Sequence, residues 1–416
     1  MIRYRAAWVL PVSGPPVRNG HVAVDGDRIV AVGGEDPGSS SPSGTATVDL
    51  GQVAVLPGLV NAHTHLELSY LRDEVPPASE FVDWIRTVVA ARRKRSDPQS
   101  DEILDGVRTG IDEALRCGTA VVGDISNTLV TFDPLVRSDL AGVLFYELLK
   151  FNVEDADALV RDACVRIDGL AESRSIRPAL AAHAPYSVSP RLFRSIRQAV
   201  DRRTLGACSV HLSESRDEVE FIRDGSGAWR RFLDDVGAWD PDWVAPGVSP
   251  VRYLDDAGFL DARTLAVHGV QMRGDDLERL VRRGTTVVTC PRSNLRTGAG
   301  APPIAEFYDA GVPVAVGTDS LASTPDLNVF AELASLRRLA PRVPASTLIE
   351  SATLQGARAL GFGEEFGSIE GGKRARLIAV ALPPDLDDVE EYLVSGVEPS
   401  SIAWVVPGLG TGSAAS

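Results

Sequence analysis

PGLVNAHTHLELS, residues 57–69, continues an apolar run that begins at Ala54 and leads into two histidines. The run AlaValLeuProGlyLeuVal (54–60) has the length and composition of a buried strand, with His63 and His65 two apart beyond its end. Alternation along a strand turns both rings to one face, roughly 7 Å apart at the Cα level. Two imidazoles so placed can converge on one ion. A lone His-x-His is more often incidental, so its meaning depends on the rest of the chain.

Seven further apolar runs follow, at 119–123, 142–146, 179–182, 207–210, 264–267, 285–289 and 312–316. Amphipathic helical stretches separate them, among them DEILDGVRTGIDEALR (101–116) and PRLFRSIRQAVDRR (190–203). Continuous apolar strands alternating with helices predict a parallel sheet covered on both faces. Eight such units suit an α/β architecture, the closed (β/α)8 TIM barrel; a doubly wound open sheet is the competing arrangement. The polar residues decide between them. The first run leads to His63 and His65, the fourth to His183, the fifth to His211, the sixth to His268 and the eighth to Asp319. A barrel brings all these strand ends to one mouth. The remaining histidine, His21, reads as a surface residue.

Residues 18–34 read as two strands around an AspGlyAsp turn, and GSIEGGKRARLIAV (367–380) as a turn and a strand. The two ends therefore predict a small composite β-sandwich domain, residues 1–57 and 363–416, beside a barrel of residues 58–362. DPGSSSPSGTAT (36–47) reads as a surface loop and the last nine residues as a frayed tail.

The chain has 416 residues, 44% of them hydrophobic and 24% charged, which suits a globular protein with a real core. Its formal net charge of −15 argues against nucleic acid and against an anionic membrane surface as partners. No stretch reaches the ~18 apolar residues of a membrane helix, and the amino-terminal apolar run is too short for a secretory signal. Cys117, Cys164, Cys208 and Cys290 are widely spaced and read as reduced thiols. A cytoplasmic location is the expectation.

His211 and Asp319 would complete a four-ligand site with His63 and His65. Three imidazoles and one carboxylate suit a single Zn2+, with Fe2+ as the alternative. Such an ion lowers the pKa of a water to about 7, and Asp319 could accept the water's proton. Read alone, Asp319 would be a helix cap. Glu214, three residues after His211, could carry a proton between water, ring and leaving group; alone it would read as a surface acid. His268 could assist proton transfer or serve as a further ligand, and His183 could meet substrate or pack in the core.

The stretches PGLVNAHTHLELS (57–69), HAPYSVSP (183–190), HLSES (211–215), VHG (267–269), CPRSN (290–294) and GTDSLAS (317–323) together resemble the amidohydrolase superfamily, in its mononuclear deaminase branch. The resemblance implies a barrel that hydrolyses a C–N bond on an amino-substituted nitrogen heterocycle. His63, His65, His211 and Asp319 match the metal positions, Glu214 the acid that protonates the ring nitrogen, and His268 with Asp319 the pair that activates water. His183 matches a substrate contact. The fourth strand ends without the lysine of the binuclear branches, which implies one metal. HTHLELS and GTDSLAS are similar to the variants of aminodeoxyfutalosine deaminases, enzymes of menaquinone biosynthesis acting on an adenine nucleoside. Trp84 matches a substrate-facing tryptophan of the adenosylhomocysteine-type deaminases. Those enzymes carry an acid about nine residues further on, where this chain has AlaArgArgLysArg (91–95). That basic cluster could meet a substrate carboxylate or be a solvated helix end.

Glu67, Arg292 and Asn294 are further candidates at the mouth; Glu67 reads as a substrate contact or a structural hydrogen bond. Lys150 reads as a surface or substrate-contact residue. The 224–252 insertion, with three of the six tryptophans, reads as a lid or an oligomer contact. A homodimer is the expected assembly. On the same scaffold, a triazine-type chlorohydrolase or N-alkylaminohydrolase is the nearest rival. A non-catalytic assembly protein is the remote one, disfavoured because all four ligands are present.

Overall fold

The computed structural model describes residues 1–34, 45–95, 97–203 and 206–405. Most of the polar stretch at 36–47 and the expected frayed tail lie outside them. Eight parallel strands follow in strict chain order around one sheet: β1 (Leu59–Thr64), β2 (Thr119–Ser126), β3 (Ala141–Leu148), β4 (Ile176–Ala182), β5 (Cys208–Leu212), β6 (Thr264–His268), β7 (Thr286–Thr289) and β8 (Val314–Val316). Helices separate them, including Asp101–Arg116, Pro190–Asp201 and Val329–Leu339. The protein is a (β/α)8 barrel.

Alternation along the strands divides the apolar residues between two clusters. Leu180, Ala182, Ala266, Val314 and Val316 join the larger cluster. Their immediate neighbours Ala179, Ala181, Val267 and Ala315 join a separate one. Each strand therefore buries both faces, as the continuous apolar runs require. β2 and β3 are buried at every residue.

The seam between β1 and β8 is closed at the mouth. The Thr318 and Asp319 amides both donate to the His63 carbonyl, at 3.1 and 3.0 Å. The Asn61 amide donates to Thr318 Oγ1 at 2.7 Å and its oxygen accepts from the Thr318 amide at 3.0 Å. Gly317 permits this approach: a Cβ there would lie 2.8 Å from the His63 Cβ and carbonyl oxygen.

The two chain ends share one mixed seven-stranded sheet among the described residues. Val53–Pro57 pairs in parallel with Ile2–Val9 and antiparallel with Leu377–Ala381, which stitches the termini together. The sheet has its own core, around Val9, Val22, Ile29, Val55 and Leu377. His21 lies on this sheet in Val17–Asp25, partly buried and away from the mouth.

One expectation needs correction. The run 54–60 is not a single barrel strand. Pro57 ends a strand of the terminal sheet, and the barrel begins at Leu59. Gly58 is the joint, packed so closely that a Cβ would sit 2.6 Å from the Ala120 Cβ. Among the described residues no helix is long and apolar enough to cross a membrane.

Candidate active site

The ends of β1, β4, β5, β6 and β8 bring His63, His65, His183, His211, His268 and Asp319 together. Ring centroids of His63 and His65 lie 4.9 Å apart, those of His63 and His211 5.0 Å, and those of His183 and His211 5.0 Å. Asp319 Oδ1 stands 3.9 Å from His63 Nε2 and 3.7 Å from His65 Nε2. His211 Nε2 lies 3.4 Å from His65 Nε2. Two ring nitrogens that close do not both carry hydrogens, so at least one turns a lone pair inward.

The donor set fits a divalent ion. His63 is wholly buried and neither of its ring nitrogens has a hydrogen-bond partner. Burial holds the rings of His63, His65 and His268 well below their ordinary range, with the neighbouring imidazoles adding to the effect. It holds His183 and His211 down to about 4. Neutral imidazoles with inward lone pairs are the form that ligates a metal. His63, His65 and Asp319 form one such group, and His63, His211 and His268 another, so His268 is placed either as a ligand or beside one.

Neighbouring groups orient several of these side chains. His211 Nδ1 donates to the His183 carbonyl at 2.9 Å, which leaves Nε2 for the ion. His183 Nδ1 lies 2.5 Å from Ser187 Oγ, whose own hydrogen goes to the Ala184 carbonyl. Ser293 Oγ donates to Asp319 Oδ2 at 2.6 Å, and the Ser320 amide to Oδ1 at 2.7 Å. Asn294 Nδ2 lies 2.9 Å from His268 Nδ1. Of the CysProArgSerAsn stretch, then, Ser293 and Asn294 face the site. Arg292 turns away to Asp326, at 2.7 Å.

Glu214 is buried, with Oε1 3.4 Å from His268 Nε2. Burial pushes its carboxyl well above the usual range, and the charges of Asp319 and Glu218 add to this. Burial likewise raises Asp319, against hydrogen bonds from Ser293, Ser323 and Ser320. The loop that presents Glu214 is braced by Glu218, whose two carboxylate oxygens accept the Ser213 and Glu214 amides at 2.8 Å each. Ser215 caps the following helix, Arg216–Asp224. Ser213, His268 and Asp319 have left-handed backbones, with φ of 54°, 77° and 66°. Such conformations cost on the order of 1–3 kcal/mol each and concentrate at functional sites.

Other sequence-chosen residues stand further out. Glu67 has both oxygens engaged: Oε2 accepts from Ser126 Oγ at 2.6 Å and Thr128 Oγ1 at 2.9 Å, and Oε1 from Arg92 at 3.1 Å. Its geometry is that of a brace between β1 and β2. Trp84 is buried in the apolar roof with Phe81, and its indole N–H has no partner. The 224–252 segment completes that roof. Trp229 stacks on Tyr186 at 3.6 Å between ring centroids, Trp239 on Phe151 and Trp243 on Phe221. In the basic cluster, Arg92 holds Glu67 and Asn127, and Arg95 holds Glu74 and Glu102. Arg93 lines a cavity of about 440 Å3 beside Glu67, Tyr70 and Asn127. Lys150 is exposed.

Sequence reasoning passed over Glu147, Asp124 and Glu218. Glu147 ends β3, buried, with Oε1 3.5 Å from His211 Nδ1. Burial raises its carboxyl, and His211 gives the largest opposing pull. Asp124, buried on β2, accepts the Leu66 amide at 2.8 Å and so fixes the chain just after His65. The available signal was an acid inside an otherwise apolar run, in GVLFYELL and TAVVGDIS.

Known proteins share the sequence pattern and the fold. The sequence model of the amidohydrolase family matches residues 54–402. The 5-methylthioadenosine/S-adenosylhomocysteine deaminase of Moorella thermoacetica is 30% identical over 96% of this chain and 90% of its own length. The aminodeoxyfutalosine deaminase of Deinococcus radiodurans is 34% identical over 82% of this chain and 81% of its own. A zinc-bound adenosine deaminase from Xanthomonas campestris superposes with a TM-score of 0.80 at 28% identity, covering 96% of this chain and 90% of that one.

Proposed function

The chain belongs to the amidohydrolase family, and on that premise we propose that it is a hydrolytic deaminase of an adenine nucleoside, with aminodeoxyfutalosine as substrate. One divalent ion, zinc, would be held by His63, His65, His211 and Asp319. When bound it supplies a Lewis acid that makes a water acidic enough to attack at neutral pH.

The observation that carries the reading is Glu214, a buried carboxyl 3.4 Å from His268 Nε2 whose burial favours its protonated form. It can give its proton to the ring nitrogen next to the amino-bearing carbon, which makes that carbon electrophilic. Asp319 and His268 take the proton from the attacking water. As the tetrahedral adduct collapses, the amino group leaves as ammonia, protonated through Glu214 and His268. His183 presents its free ring nitrogen to the far edge of the heterocycle, and the Trp84 indole N–H lacks a protein partner that a substrate could replace. The roof of Trp84, Tyr186 and Trp229 excludes water from the adduct.

Two points support a substrate that bears a carboxylate. Arg93 stands about nine residues beyond Trp84, where the adenosylhomocysteine-type enzymes carry an acid. It lines a cavity beside the mouth, where its neighbours Arg92 and Arg95 are already held by Glu67, Glu74 and Glu102.

The test is ammonia release by the zinc-loaded protein with aminodeoxyfutalosine, adenosine, adenosylhomocysteine, guanine, cytosine and an amino-triazine. Aminodeoxyfutalosine should be turned over at least tenfold faster than the others. Release from adenosylhomocysteine alone would move the assignment to that substrate. No ammonia from any of them, with metal bound, would end the deaminase reading.

A further inference from the structure

Besides Glu214, Asp319 and Glu332, four acids are buried around the mouth, and three of them hold defined partners. Asp124 holds the Leu66 amide, Glu218 the Glu214 loop, and Glu67 the strand ends and Arg92. Glu147 differs. Its Oε1 is buried without a hydrogen-bond partner, and His211 Nδ1 stands 3.5 Å from it.

We propose that Glu147 is a positioning residue for the metal: with the His183 carbonyl it holds the His211 Nδ1–H, so that Nε2 is fixed and more basic toward the ion. The inference rests on the metal site proposed above. Two features of the structure argue for it. First, the carboxylate is locked. Asn127 Nδ2 donates to Glu147 Oε2 at 2.8 Å, and Arg92 in turn holds the Asn127 oxygen at 3.0 Å. The amide of Asn127 therefore cannot turn over without losing Arg92, and Oε1 is left facing the ring. Second, an acceptor behind a ligating imidazole sets its tautomer and strengthens its hold on the ion. The His183 carbonyl does the first, and a charged acceptor adds to the second. The chain Arg92–Asn127–Glu147–His211 thus runs from the edge of the mouth to a ligand.

The locked geometry makes Glu147→Gln a sharp test. Asn127 demands an oxygen on its side, so the glutamine nitrogen must face the His211 Nδ1–H, donor against donor. Zinc affinity is measured on the apoprotein by competition with a chromophoric chelator, beside the melting temperature of the same apoprotein. The variant should bind zinc roughly 10–100-fold more weakly, with an apo melting temperature no lower than the wild type's. Unchanged zinc affinity would overturn the proposal, as would a lowered apo melting temperature with the affinity intact, which is the mark of a structural role. If Glu147→Gln does not fold, Asn127→Ala carries the test: it frees Oε2 and should weaken zinc binding several-fold, and wild-type affinity would overturn the proposal. Wild-type protein that binds no zinc would instead refute the metal site on which the inference stands.

Discussion

The two ends of the barrel handle charge in opposite ways. At the floor, where β4 begins, a groove of about 1000 Å3 is lined by Arg174, Arg177, Arg202, Arg203, Arg263 and Arg358. Several of these arginines are paired in the open: Arg203 with Asp168 at 2.7 Å, Arg263 with Asp201 at 2.5 Å, and Arg177 with Glu365 at 3.1 Å. At the mouth the ionisable groups are buried, kept from their charged or neutral norm, and in places unpartnered. Solvated ion pairs are cheap to form and contribute little. Buried groups without partners destabilise a fold and persist where a ligand or a reaction uses them. The contrast separates a solvated, ion-paired surface from a site assembled at the expense of stability.

The largest effect that tests this contrast should come from the mouth. Glu214→Gln keeps the shape and removes the proton, so kcat should fall by roughly 10²–10⁴-fold while one zinc per chain stays bound. Turnover at the wild-type rate would mean that Glu214 is not the acid and that its burial has another purpose.

A second measurement uses pH on the apoprotein. Asp124, Glu218 and Glu332 are each held up to about 8 by burial. In the unfolded chain they are already ionised at pH 6.5, so between 6.5 and 8 the folded state holds the extra protons. Stability is therefore full at low pH and lost as pH rises toward 8, at up to about 1.4 kcal/mol per pH unit for each group. The histidines, held low in the fold, work the other way below about pH 7.5, because an unfolded imidazole is still about half protonated at 6.5, but their summed gain is smaller than the loss from the acids. A melting temperature that stays level or climbs from pH 6.5 to 8 would show that these acids ionise freely and that the mouth is not strained by burial.

The smallest effect belongs to the floor. Arg203→Ala breaks a pair whose acid is largely solvated, and should change stability by less than about 0.5 kcal/mol and leave kcat unchanged. A loss of more than about 2 kcal/mol in urea unfolding would place the floor in the same class as the mouth and remove the distinction.

Much of this was legible in the sequence because two periodicities and one positional rule coincide. Apolar runs at regular intervals gave the strands, and the polar residue closing each run gave the mouth. His63, His65, His211, His268 and Asp319 could be placed together without coordinates because a barrel leaves strand ends nowhere else to go. Glu147 and Asp124 were hidden by the same logic, since an acid within an apolar strand carries no mark of the face it takes. Glu67 had too many options: next to the metal strand, a brace and a substrate contact look alike until Ser126, Thr128 and Arg92 are seen around it. Pro57–Gly58 misled because the apolar run continues through the turn, and only the approach of Ala120 forces the chain to change sheets there. The indole contacts of the 224–252 segment join residues distant in sequence, and no local pattern announces them.

The seam between β1 and β8 also sets a schedule. Thr64 and Asp319 meet across 255 residues of chain, and the His63 carbonyl receives its partners from the same distance. During synthesis the two amino-terminal histidines emerge early and wait, with half a site, until more than three quarters of the chain has been made. With the ligands proposed above, tight ion capture would come among the last events of assembly, after the final strand has docked. A nascent or truncated chain ending before Asp319 would carry the His-x-His pair and yet compete poorly for the ion.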